Sequence, residues 1–100
     1  DLAKWGGLTK TIPVAQKILS SRKRYCPHYL GGGVGLVASA HALAAVGGNG
    51  MLEVDFNNNP LRSLIIDPML DKSSGSMELG KGHGLGIEFD FKQIEEFRVL

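Results

Sequence analysis

The feature that most constrains this chain is an alternation between residues 9 and 54. Thr11 to Arg22 carries Ile12, Ala15, Ile18 and Leu19 at helical spacing, with Thr9 placed as an N-cap and Pro13 tolerable in a first turn. Arg24 to His28 reads as a short strand, Gly31 to Gly33 as a loop and Val34 to Val46 as an apolar helix. Met51 to Val54 reads as a second short strand. Both strand segments are mostly apolar, as strands covered on two faces should be. Helix, strand, helix, strand predicts an α/β fold with parallel strands joined by helical crossovers, either a doubly wound sheet or a (β/α)8 barrel.

After Asp55 the pattern changes. Asn57-Asn58-Asn59-Pro60 is turn chemistry, Ser63 to Ile66 is short and apolar, and Lys72 to Gly75 is a further turn. Phe91 to Val99 is expected to form a closing helix. The expected organisation is βα units over residues 1–55 and a closing segment over 56–100 of the same domain. Two or three parallel strands leave both edges open, and a complete barrel takes about 250 residues. The segment therefore reads as part of a larger fold.

Composition narrows the function classes. Eleven basic residues against ten acidic give a net charge of +1, which disfavours a nucleic-acid surface. The run Arg22-Lys23-Arg24 suits a solvated helix end. The most apolar stretch, 34–46, falls short of the roughly 20 residues that span a bilayer. No charged-then-apolar leader is visible. A single cysteine, Cys26, excludes an internal disulfide and points to a reducing, cytoplasmic setting. No metal-ligand spacing is present, and neither GGGVG nor GKGHGLG matches a dinucleotide or P-loop pattern.

In parallel α/β folds, chemistry gathers at the carboxyl ends of strands. Those ends are His28 and Glu53, with Asp1 a third if the chain begins where a strand stops. Alternation places Cys26 and His28 on one face, and neighbouring strands about 4.8 Å apart would set His28 and Glu53 across one small cavity. An imidazole and carboxylates converging there suit general acid–base work. The competing reading is a hydrogen-bonded core histidine. His41, within an apolar helix, and His83, in a glycine-rich loop, read as structural. GGG ahead of a helix is a tight turn or an anion site.

The segments DLAKWGGLT, CPHYLGGGVGLVASAHALAAV, MLEVDFNNNPLR and KGHGLGIEFDFKQI, taken in order, resemble the mandelate racemase and muconate lactonizing enzyme family of the enolase superfamily. His83 stands where that family usually has proline. The resemblance implies that Asp1, His28 and Glu53 end the sixth, seventh and eighth strands of a (β/α)8 barrel. His28 would move the proton alpha to a carboxylate, Asp1 would orient and charge it, and Glu53 would hydrogen-bond the substrate carboxylate. Tyr29 and Gly31 would add substrate contacts, the glycines leaving room for it.

It further implies a Mg²⁺ cofactor whose ligands lie outside this chain. The implied reaction is dehydration of a sugar acid, with racemisation or epimerisation of an alpha-substituted carboxylate as the alternative. The implied partners are a small carboxylate substrate, the remaining barrel strands, a capping domain and further copies in a homo-oligomer. A second reading, of a different class, takes the hundred residues alone as a non-catalytic fragment.

Overall fold

The computed structural model describes residues 1–100. Helix α1 spans Gly7–Ser20, α2 Gly33–Val46 and α3 Pro60–Ile66. A 3₁₀ turn over Asp67–Met69 leads into β1, Leu70–Asp71, which pairs antiparallel with β2, Ser76–Met77. A 3₁₀ helix at Phe91–Phe97 follows the glycine-rich loop. No helix is long and apolar enough to cross a membrane.

Helix α1 begins four residues before the expected start, with Gly6 rather than Thr9 as its N-cap. The turns from Asp1 to Trp5 feed straight into it, Gly6 taking a left-handed φ of 90°. Pro13 consequently lies inside the helix, not in its first turn. Its C-terminus closes as a Schellman motif, with the Lys23 amide on the Ile18 carbonyl and the Arg22 amide on that of Leu19. Arg22 holds the left-handed position, at φ 57°, and the basic trio is solvent-exposed there.

Helix α2 forms over the apolar stretch where a buried helix is expected, and it is central. Its sequence is apolar all round, which a helix tolerates only when neighbours cover several of its faces. Ala38 and Ala42 pack with Leu2, Ile12 and Leu85, while Leu36 and Val37 pack with Ile66 and the β1–β2 hairpin. Only 14 of 100 residues are buried, and Phe56 and Phe91 remain exposed, so much apolar surface has no cover within the chain. The short apolar run 63–66 is part of a helix, because Asn59 caps it and Pro60 opens it.

The two expected strands contract. Residues 24–28 and 51–54 run side by side in parallel but share a single bridge, His28 with Glu53. A lone parallel pair lacks the neighbouring strands that would extend its ladder. The expected helix over 91–99 is likewise a shorter 3₁₀ helix, ending at Phe97.

Candidate active site

His28 and Glu53 meet because two extended segments are tied at their ends. The Glu53 amide donates to the Pro27 carbonyl at 2.9 Å, and Gly50 lets the segments close, since a Cβ there would overlap the Tyr25 carbonyl oxygen. Alternation along the first segment holds: Tyr25 and Pro27 are buried, while Cys26 is exposed and His28 half-buried. Burial pushes the Tyr25 phenol pKa up. Cys26 and His28 thus share the uncovered face, which the exposed Met51 and Glu53 adjoin.

Asp1 takes a different set of partners. Its carboxylate accepts from the Ala3 amide at 2.9 Å and lies 3.6 Å from the Lys4 ammonium. No hydrogen bond joins it to His28 or Glu53.

Tyr29 is half-buried. Its ring packs against the Leu36–Val37–Ile66 cluster and lies directly over Gly31 and Gly35, where any Cβ would strike it. In this structure the glycines make room for an aromatic ring. The ring of His41 is held structurally, its Nε2 pairing with the Leu85 carbonyl oxygen at 3.0 Å, whereas His83 is an exposed loop residue whose backbone carbonyl accepts from the Gly86 amide.

Sequence reasoning missed a polar network beyond Glu53. Arg62 is 4% exposed on α3, and its guanidinium donates to the Asp55 carboxylate at 3.3 Å and to the Asn57 carbonyl. Asn59 accepts from the Arg62 amide and donates through Nδ2 to the Gly31 carbonyl at 3.3 Å. The sequence signalled only the helix start, through Asn59-Pro60; nothing local marked Arg62 as buried or Gly31 as a partner of Asn59.

No group of three His, Cys, Asp or Glu side chains converges to hold a metal ion. The residues of this chain alone therefore do not fit a Mg²⁺ site. Its chemical resource is an imidazole and a carboxyl group at adjoining parallel ends, two groups that can exchange protons.

Two parallel segments joined through helix α2, with titratable groups at their carboxyl ends, define an α/β domain of the parallel type. The model of the enolase C-terminal domain-like family matches residues 1–94, and the chain belongs to that family. A solved mandelate racemase/muconate lactonizing enzyme from Bordetella bronchiseptica is 48% identical and superposes with a TM-score of 0.83, over 96% of this chain and 27% of that one. The D-galactarolactone cycloisomerase of Agrobacterium fabrum is 28% identical over 99% of this chain and 28% of its own length. The chain thus spans about a quarter of the length of each relative.

Proposed function

We propose that this chain supplies the acid–base end of an enzyme that removes the proton alpha to a carboxylate, and that the reaction is dehydration of a sugar acid. The observation that carries the reading is the His28–Glu53 bridge, which sets both residues at one end of two parallel segments with the open face beside them. His28 takes the alpha proton as the C–H electron pair moves into an enediolate. It then returns a proton to the departing beta hydroxyl, which leaves as water. Glu53, in its protonated form, donates its carboxyl O–H to the carboxylate oxygen on which charge builds, where a positioned donor is worth most. Asp1 orients His28 once its carboxylate exchanges Lys4 for the imidazole, and Tyr29 and Gly31 border the substrate.

In this reading the segment is the region of strands six to eight and the closing part of a (β/α)8 barrel. Superfamily sites use one or two Mg²⁺ ions with a Lys or His base, and their ligands would come from residues beyond these hundred. A second reading, isomerisation after the same proton removal, is favoured by the cycloisomerase relative, whose name specifies a lactone of a sugar acid.

The test uses the full-length protein with Mg²⁺ and a panel of sugar acids in D₂O. Loss of the alpha-proton NMR signal together with formation of a 2-keto acid is the expected result. His28→Asn should lower turnover by roughly 10²- to 10⁴-fold while substrate still binds. Turnover near wild type in that variant sinks the assignment.

A further inference from the structure

The two loops that leave the proposed site are tied a second time, beyond the bridge. One loop runs from His28 to Gly33 and enters α2; the other runs from Glu53 to Asn59 and enters α3. At their base the Glu53 amide meets the Pro27 carbonyl at 2.9 Å. Further along, the Asn59 Nδ2 meets the Gly31 carbonyl at 3.3 Å. Asn59 is itself fixed, because its Oδ1 accepts from the Arg62 amide at 3.2 Å as the N-cap of α3. Arg62, nearly fully buried, clamps the same loop through Asp55 and the Asn57 carbonyl. A buried guanidinium bound to two points of one loop resists any change in that loop's path, since release would leave its charge unpaired.

Helix capping alone does not account for Asn59. A cap needs only an acceptor, and serine or aspartate serves as well. The amide nitrogen does something a cap does not: it carries the rigid Asp55–Arg62 loop across to the loop of His28.

We propose that Asn59, held by Arg62, is a positioning residue that locks the His28 loop to the Glu53 loop, so that the two side chains keep a fixed separation during turnover. The proposal rests on the acid–base reading above. Arg62 and Asp55 set one loop, Asn59 transmits its position, and Gly31 receives it three residues from the imidazole.

Two variants isolate the cross-loop bond in the full-length protein. Asn59→Ser keeps a capping oxygen but is too short to reach Gly31, and Asn59→Asp keeps both size and cap but loses the donor. The direct readout is the ring Cε1–H NMR signal of His28, assigned by its disappearance in His28→Asn. Both Asn59 variants should displace or broaden that signal while Tm stays within about 2 °C of wild type. On a substrate found as above, kcat should fall roughly 10- to 100-fold with KM little changed, as expected for misplacement. A His28 signal unmoved in either variant overturns the proposal, as does displacement seen only with a Tm loss of about 5 °C or more. Should His28→Asn turn over normally, the acid–base reading fails, while the ring signal still decides whether the loops are coupled.

Discussion

The amide of Glu53 donates to the carbonyl of Pro27 at 2.9 Å, one residue before His28, and this contact registers the two site residues against each other. It depends on Gly50, where a Cβ would overlap the Tyr25 carbonyl. Both obstacles are backbone, so relief requires the segments to part. Gly50→Ala should destabilise the protein by about 1–3 kcal/mol, read as a lower midpoint in denaturant. A midpoint equal to wild type would mean the segments are not closely apposed.

Glu53 is exposed and its side chain makes no hydrogen bond within the chain. Glu53→Ala should therefore change stability by no more than about 0.5 kcal/mol. If its carboxyl assists charge development on substrate, kcat should still fall roughly 10²- to 10³-fold. Steady-state kinetics beside a thermal melt separates the two effects. Intact turnover would remove Glu53 from the site.

Gly35 sets two effects against each other. Alanine inside a helix gains about 1 kcal/mol over glycine. Here, however, its methyl would collide with the Tyr29 ring. Overpacking of this kind costs about 1–3 kcal/mol, so Gly35→Ala should be net destabilising. In a Tyr29→Ala background the collision is gone and the same change should become stabilising. The sign reversal in a double-mutant cycle is the measurement. Equal effects in both backgrounds would place the ring elsewhere.

Asp71, in the β1–β2 hairpin, accepts from the Ser73 and Ser74 hydroxyls at 2.6 and 2.7 Å, and from both backbone amides. Those bonds, the Ser73 side chain first, lower its pKa from 3.8 to about 2. A depressed folded pKa means that the stabilisation is present above the unfolded value and lost as pH falls towards the folded one. The hairpin should hold down to about pH 4 and loosen between pH 4 and 2. Following the Asp71 carboxyl by NMR should give a midpoint near 2. A midpoint near 3.8 would show that the serines do not engage it.

Much of the candidate site was legible because it depends on local order. His28 and Glu53 stand at the ends of short apolar runs, each bounded by turn residues, and period-two alternation fixes which side chains share a face. The Asp55–Arg62 and Asn59–Gly31 links were not legible. They join residues 7 and 28 positions apart, and a buried arginine looks the same in sequence as an exposed one.

The sequence by itself determined the alternation of elements, the central apolar helix and the titratable residues at the strand ends, since backbone sterics and hydrophobic periodicity act over a few residues. Tertiary structure decided the rest. It reduced two strands to one bridge, because a parallel ladder needs neighbours. It gave the glycines beside His28 to the ring of Tyr29, and it bound the two site loops through Asn59. Such contacts follow from which surfaces meet, and only the packed chain specifies that.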